Sequence, residues 1–299
     1  MPEGAKPGGR ERRIATGGRT IAPYTVGLSI VLLPFLVVAS VLLYLAPGNT
    51  EQHFAWTITP PITAMYLASA YLGGVWFFGS VLRVRQWQRV RRGFPAVLLF
   101  ATLLAIATLL HWDKFHAGHI SFLTWATLYF TTPVLILGAM IVESRAHREH
   151  VPPRETEIPR GWRVALAVLG LVSLGVGITL FVVPSIGVDS WAWSLTPLTA
   201  RVIGATLTLP GMVNLWMLVD GRWSAFRILF QAQIVSLIFI VGALAIGWSQ
   251  LDFTRLSTWL LVPGLVASLA GYAGLYLLCE SRSRRDLPLN EPPVNPRTV

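Results

Sequence analysis

Residues 54–60 read Phe-Ala-Trp-Thr-Ile-Thr-Pro, and residues 191–197 read Trp-Ala-Trp-Ser-Leu-Thr-Pro, which is 137 positions later. Each copy ends a polar loop and begins a long apolar run. The same offset links further residues: Pro47 with Pro184, Gly74 with Gly211, Glu143-Ser144-Arg145 with Glu280-Ser281-Arg282, and Arg148 with Arg285. A constant offset over this distance predicts a tandem duplication of one membrane unit.

The composition excludes the soluble enzyme folds. Hydrophobic residues make up 54% of the chain and charged residues only 13%, and the mean hydropathy is +0.59. Soluble domains carry about 25% charged residues. The apolar residues also form long unbroken runs instead of periodic stripes, which indicates that the lipid bilayer surrounds the chain.

Eight apolar runs are long enough, or nearly so, to cross a bilayer as helices. They cover residues 21–45, 59–82, 94–111, 121–142, 162–183, 196–219, 226–247 and 257–279. Backbone polar groups must be paired in lipid, so these runs predict an all-α fold, and the alternating ten-residue segments of a barrel are missing. We therefore predict a polytopic protein with eight transmembrane helices.

The net charge of +10 is distributed over the loops. All of the 24 basic residues except Lys114, Arg201 and Arg255 fall in the terminal segments or in alternate loops. This pattern is typical of orientation signals and not of a nucleic-acid surface. It predicts a cell (inner) membrane protein with both termini in the cytoplasm.

The predicted helices divide evenly between two repeats. Four helices per repeat return the chain to the same side, so the duplication should be parallel. The predicted units are a disordered basic tail 1–20, a first repeat 21–145, a charged linker 146–161, a second repeat 162–282 and a disordered tail 283–299. Small residues in 162–183 (Gly170, Gly175, Gly177) and in 257–279 (Ala267, Gly271, Ala270, Gly274) predict close helix packing.

The predicted outer ends of the helices carry candidate ligand-binding residues. Arg201 lies about one turn into the sixth run, where it could bind an anion, reach the interface or pair with a loop carboxylate such as Asp189 or Asp252. Thr59 and Thr196 precede prolines and could cap helices whose N-termini favour anions. Trp56 and Trp193 either line an outward-facing cleft or belong to an interfacial aromatic belt with Trp112, Trp191 and Trp248.

A second cluster lies between the third and fourth runs, at residues 111–119. His111, His116 and His119 are weak candidates for metal ligands, and Asp113 could orient one of them or contact a ligand. Their spacing matches no known metal helix, and the corresponding turn at Trp248 holds no histidine. A polar hairpin at the headgroup level is the alternative interpretation.

No motif identifies a catalytic residue, a cofactor or a nucleotide loop, so an enzyme is disfavoured. The single cysteine, Cys279, has no disulfide partner. The W-x-[IL]-T-P turns, with the His-Trp-Asp-Lys-Phe turn ahead of Trp125, resemble a group of uncharacterised bacterial multi-helix membrane proteins. The resemblance implies a bacterial inner-membrane location and no particular activity.

Three functional classes remain open at this point. The first is a transporter or permease-like protein with a small-molecule or anionic ligand in an outward cleft between the repeats. The second is a membrane redox or metal-binding protein that uses the histidine turn. The third is a non-catalytic subunit or assembly factor with a membrane-protein partner.

Overall fold

The computed structural model describes residues 20–146 and 155–285. Within these ranges the chain forms helices joined by short turns, with isolated β-bridges and no strand. The helices are α1 Pro23–Leu45, α2 Thr50–His53, α3 Pro61–Val84, α4 Phe94–Leu110, α5 Ile120–Ala146, α6 Arg160–Val182, α7 Pro184–Ser190, α8 Pro197–Leu215, α9 Trp223–Ile246 and α10 Leu256–Arg285. The tails predicted to be disordered, and most of the predicted linker, lie outside the described residues.

Each predicted apolar run contains one long helix, and α2 and α7 are short additions that the sequence reading missed. Six helices are long and apolar enough to cross a membrane, namely α1, α3, α5, α6, α9 and α10. Helix α4 is apolar but shorter, and α8 falls outside this group. The architecture is that of a helical, polytopic membrane protein.

The helices pack in corresponding pairs in the two parts of the chain. Helix α1 packs against α3, and α6 packs against α8. Helices α4 and α5 form a pair, as do α9 and α10. Between the parts, α3 packs against α9 and α8 packs against α4, so the central layer consists of these four helices.

At one end of the bundle, which we call the basic end, each part contains an equivalent backbone hydrogen bond. The Ile21 amide donates to the Arg85 carbonyl at 3.0 Å, and the Ile158 amide donates to the Gly221 carbonyl at 2.9 Å. Asp220 connects the parts, because it accepts hydrogen bonds from Arg92 and from Arg222. Burial alone would raise the pKa of Asp220, yet hydrogen bonds from these two guanidinium groups hold it well below its usual range.

At the opposite end, which we call the tryptophan end, the two quoted motifs make equivalent contacts. The His116 amide donates to the Ala55 carbonyl at 2.9 Å, and the Asp252 amide donates to the Ala192 carbonyl at 2.8 Å. Each contact fixes the W-x-[IL]-T-P segment against the turn between the last two helices of its part. The motif therefore has a structural use in both copies.

Glycines bring α6 and α8 into close contact. A Cβ atom on Gly177 would lie 2.7 Å from the Gly204 carbonyl oxygen, and one on Gly211 would lie 2.9 Å from the Leu174 amide nitrogen. Side chains cannot occupy such positions, so the two backbones approach directly. The prediction of close packing is confirmed for Gly170 and Gly177, whereas Gly175 faces open space. The prediction for α10 is wrong, because a Cβ on Gly271 or Gly274 would meet nothing within 4 Å.

Candidate functional site

Arg201 is held by a histidine of the other part of the chain. Its Nη1 lies 2.6 Å from His111 Nε2. The pKa of His111 is lowered, first by burial and then by the neighbouring Arg201 charge, so its neutral ring accepts the hydrogen bond. Arg201 Nε is also buried and makes no hydrogen bond within the described residues. The arginine thus connects α8 to the end of α4.

The two Thr-Pro pairs differ in their local structure. Thr196 is the N-cap of α8, and its hydroxyl accepts a hydrogen bond from the Thr199 amide at 3.2 Å. Thr59 is exposed and caps nothing, because α3 begins after Pro60, which occupies the N-cap position. Threonine capping is therefore confirmed for Thr196 and wrong for Thr59.

The tryptophans of the motifs lie in the protein interior. Trp56 is 2% exposed and packs against Phe54, Phe115 and Trp125. Trp193 is fully buried, and its Nε1 donates to Thr63 Oγ1 at 2.8 Å. The belt interpretation is wrong for these two residues and for buried Trp191. Trp112 and Trp248, which are about half exposed, retain the pattern of interfacial residues.

The histidine turn is occupied by local contacts. His116 Nδ1 lies 3.1 Å from the Phe54 carbonyl oxygen, and its Nε2 lies 3.2 Å from Thr57 Oγ1. Asp113 forms an exposed ion pair with Lys114, whose hydrogen bond lowers the pKa of Asp113. The His119 ring lies beside the His116 ring, with the centroids 5.4 Å apart and the planes tilted by 55°. In the described parts of the chain, no group of three or more His, Cys, Asp or Glu residues could hold a metal ion.

A cavity of about 530 Å³ lies between α3, α4, α6, α8, α9 and α10, with Leu36 of α1 also in its wall. Its wall is predominantly apolar, and its lining residues include no acidic, basic or histidine side chain. The polar lining side chains are Tyr66, Tyr71, Ser173, Trp191, Thr206, Asn214, Gln233, Ser236, Ser257, Ser268 and Tyr272. An apolar pocket with a few convergent polar groups is the usual form of a small-molecule site.

Several polar atoms in this wall lack hydrogen-bond partners. Asn214 is fully buried; its Oδ1 accepts from the Tyr272 hydroxyl at 2.7 Å, while its Nδ2 has no partner in the ranges that the structure describes. The same holds for Nε1 of Trp191, a residue only 7% exposed, and for Ser257 Oγ. Each buried unpaired group costs about 1–3 kcal/mol. These atoms are themselves buried, so they lie behind the accessible surface of the cavity.

The cavity opens sideways between α6 and α10. The main contacts of α6 are with α7, α8 and the turn at Trp216–Leu218, and those of α10 are with α9. Both helices nevertheless contribute lining residues, and two of these, Val172 on α6 and Leu260 on α10, are 57% and 66% exposed. Since these side chains face the surroundings of the helices, the opening faces the bilayer.

None of Arg201, Thr59, Thr196, Trp56, Trp193, Asp113 and the three histidines lines this cavity. The structure brings Arg201 and His111 together but leaves Thr59 and Asp113 exposed elsewhere. The sequence contained one signal for the cavity, since Asn214 and Gln233 are rare amides within predicted helices. Amides at such depth in a membrane helix indicate a functional position.

Comparison of the chain with protein-family models, with curated proteins and with solved structures finds no match.

Proposed function

We propose that the protein is a membrane-embedded binding protein of the permease-like class, which exchanges its ligand with the bilayer through the gap between α6 and α10. The observation that carries this proposal is the apolar cavity, whose lining includes exposed residues of both α6 and α10. We thus retain the permease-like class that the sequence indicated, and we place the ligand site inside the helical bundle instead of in an outward cleft.

The contacts of Arg201 support this change of site. An anion ligand at the tryptophan end would have to compete with His111, which already accepts a hydrogen bond from the guanidinium group. The N-terminus of α3 beside Thr59 is already occupied, because the Ile62 amide donates to Gln250 Oε1 at 3.0 Å. The cavity, in contrast, has an uncharged wall and an opening that a membrane-dissolved molecule can reach.

We further propose that all eight long helices cross the membrane as two parallel repeats, with the basic end in the cytoplasm. The helix order of residues 20–146 recurs in residues 155–285, and the matched backbone hydrogen bonds at both ends support a common origin. The arginines near Asp220 support the orientation through the positive-inside rule.

Cysteine labelling tests this topology. In a Cys279→Ser background, a membrane-impermeant maleimide should label Lys114→Cys in intact cells and Gln86→Cys only after permeabilisation. The two positions are matched, because each lies in a turn between consecutive long helices. Labelling of Gln86→Cys from outside would overturn the orientation.

Co-purification tests the cavity as a ligand site. Gly264 lines the cavity and a Cβ there would meet nothing within 4 Å, so Gly264→Trp should fill the space without displacing other residues. Gly271→Trp is the matched control, since Gly271 lies on the same helix in equally open space but outside the cavity wall. Wild type, variant and control are purified in one mild detergent, and the cellular lipids bound to each are quantified by mass spectrometry.

We expect one lipid-soluble compound to accompany the wild type and Gly271→Trp in near-equal amount to the chain, and to be lost from Gly264→Trp. Size-exclusion profiles of all three proteins verify folding. Identical lipid content in the wild type and in a folded Gly264→Trp would contradict the proposal.

A further inference from the structure

We infer that the molecule that enters through the gap between α6 and α10 is an anionic phospholipid. Its phosphate group binds arginines at the basic end, while an acyl chain enters the cavity. The inference rests on the proposed function, because it names the ligand class of the same site. It follows from the charges at the two ends of the gap, from the uncharged wall and from the distance between the arginines and the cavity.

The two helices that border the gap carry exposed arginines at the basic end. Helix α6 begins at Arg160, and α10 ends with Arg282, Arg284 and Arg285; we call these four exposed residues the rim arginines. Arg160, Arg282 and Arg285 form no ion pair within residues 20–146 and 155–285, and Arg284 approaches Glu280 only to 3.6 Å. The rim arginines therefore leave positive charge available to a partner.

The two ends of the bundle differ in net charge. Among the described residues, arginines outnumber carboxylates at the basic end, where Glu157 is the one exposed carboxylate. At the tryptophan end acidic residues outnumber basic ones, and each cation has a partner. The pairs are Lys114 with Asp113, Arg255 with Asp252, and Arg201 with His111. An anionic headgroup is therefore attracted to the basic end of the gap.

The cavity itself excludes the charged group. No lining residue is acidic, basic or a histidine, so a phosphate inside would lack a counter-ion. Burial of an unpaired charge costs far more than a few polar contacts can offset. A hydrocarbon chain, in contrast, meets apolar lining residues on both sides of the gap, such as Val172 of α6 and Leu265 of α10. A ligand that suits both regions is amphipathic, with its charge at the rim arginines and its chain inside.

The distance between the rim arginines and the cavity fits a phospholipid. Leu169, which is 38% exposed and lines the cavity, lies nine residues after Arg160 on α6. Tyr272 lines the cavity ten residues before Arg282 on α10. At about 1.5 Å per residue, these separations are roughly 13–15 Å. One leaflet with its headgroup region is about 20 Å thick, so a chain whose phosphate lies at the rim arginines extends past Leu169 into the cavity.

The first part of the chain provides a matched comparison. Its exposed arginines at the basic end are Arg83, Arg85, Arg89 and Arg145, and Arg145 precedes Arg282 by the 137-residue offset. Here α1 and α5 are connected, because the Tyr24 hydroxyl donates to the Leu135 carbonyl at 3.0 Å. These arginines contribute to the positive charge of the basic end in the same manner, but they border no opening.

Photo-crosslinking with three lipid probes tests the inference. All probes carry the same two acyl chains, one with a diazirine near its methyl end, and their headgroups are those of phosphatidylglycerol, phosphatidylcholine and diacylglycerol. The rim variant combines Arg160→Gln, Arg282→Gln, Arg284→Gln and Arg285→Gln. The control variant combines Arg83→Gln, Arg85→Gln, Arg89→Gln and Arg145→Gln.

Wild type and variants are reconstituted in phosphatidylcholine nanodiscs, irradiated with each probe and digested with pepsin, whose cleavage does not require arginine. Mass spectrometry quantifies labels on Ala70 and Phe77 of α3, which line the cavity and are only 7% and 4% exposed. Lipids on the outer surface of the bundle do not reach these residues. Gly264→Trp serves as the filled cavity, and Gly271→Trp is its matched control.

In the wild type we expect the phosphatidylglycerol probe to label these residues about five-fold more than either other probe, because arginines near the membrane surface favour anionic lipid. The rim variant should lower this preference below about two-fold, whereas the control variant should retain it. Raising NaCl from about 0.05 M to about 0.5 M should also lower the preference of the wild type, because salt screens exposed charges. Size-exclusion profiles verify that each variant is folded.

The possible failures are distinct. If no probe labels α3 of the wild type above the level in Gly264→Trp, the cavity is not a ligand site and the proposed function fails. If the cavity is labelled but the phosphatidylcholine or diacylglycerol probe equals or exceeds the phosphatidylglycerol probe, the site stands and the anionic ligand class is overturned. An equal loss of preference in the rim and control variants would overturn the assignment of the phosphate contact to the rim arginines.

Discussion

Hydrogen bonds connect α1 to α5, whereas the gap between α6 and α10 opens into the cavity. In the first part, the Tyr24 hydroxyl donates to the Leu135 carbonyl at 3.0 Å, and the Ala22 amide donates to Glu143 Oε1 at 2.8 Å. In the second part, α6 and α10 both line the opening, with their main contacts directed to other helices. The gap between α1 and α5 is thus closed, whereas the gap between α6 and α10 gives access to the cavity.

The difference follows from a few side chains. The first part is filled by aromatic rings, including Trp125, Tyr129 and Tyr71, whose hydroxyl lies 2.8 Å from that of Tyr129. The residues 136 or 137 positions after Trp125 and Tyr129 are all aliphatic, namely Leu261, Val262, Leu265 and Val266. The residue 137 positions after Tyr71 is Thr208. The two parts therefore differ in the volume of their internal side chains. Aromatic rings fill the interior of the first part, whereas smaller side chains in the second part leave space for the cavity.

The largest expected effect is the loss of this aromatic filling. Tyr129→Ala should destabilise the protein by about 3–5 kcal/mol, because it removes a buried ring and its hydrogen bond. The matched change in the second part, Val266→Ala, should cost about 1 kcal/mol or less, since Val266 is 49% exposed. Equilibrium unfolding in mixed micelles measures the loss of stability in both variants. Equal losses would contradict the difference in filling between the two parts.

The next effect concerns the glycine pair at the 137-residue offset. Gly211→Ala should cost about 1–3 kcal/mol, because its Cβ would collide with the backbone of Leu174. Gly74→Ala should be nearly neutral, because its Cβ meets only the end of the Leu36 side chain at 3.3 Å. The free energies of unfolding of the two variants check this. A greater loss for Gly74→Ala would show that the α1–α3 contact is the tighter one.

A smaller effect should come from making the second part resemble the first. Leu261 lines the cavity at an offset of 136 from Trp125, so Leu261→Trp restores a large ring there. Filling the space should stabilise the delipidated protein by about 0.5–2 kcal/mol and reduce the lipid that co-purifies. Thermal unfolding of the delipidated protein measures the gain. Lower stability with unchanged lipid content would contradict the assignment of this wall.

The smallest effect is a pH dependence of the contact between the parts. The folded-state pKa of His111 lies below the ordinary value of 6.5, so the unfolded chain binds more protons in the window between the two values. Stability should therefore fall as the pH is lowered from about 8 to about 5, and His111→Asn should flatten this part of the profile. The charges facing His111 are Arg201, Asp113 and Lys114. Thermal unfolding across the pH range provides the measurement, and a profile unaltered by His111→Asn would remove this contact as its cause.

The sequence predicted the helical architecture because apolar run length is a local property. The runs located each long helix to within a few residues, and the charges in the loops located one basic end. Thr196 capping also follows from local sequence. Helices α2 and α7 were not predicted, because they have seven or fewer residues and contain no apolar run of membrane-spanning length.

The site was less predictable because it depends on which helices fail to touch. Asn214 and Gln233 are amides within predicted helices, yet their sequence positions do not show that one cavity joins them with Trp191. The pairing of Arg201 with His111 spans 90 positions and depends on the contact of α8 with α4. Burial of Trp56 and Trp193 likewise depends on tertiary packing, which hydropathy does not encode.

The glycine contact of α6 with α8 has a mechanical consequence for the opening. Only 11% of the apolar window of α10 is buried, the smallest share among the candidate spans, while α6 is fastened along its length to α8. The two sides of the opening are therefore unequal, because α6 is held by direct backbone contact with α8, whereas α10 packs mainly against α9. A change in the tilt of α10 alone would widen the opening without disturbing the contact between α6 and α8.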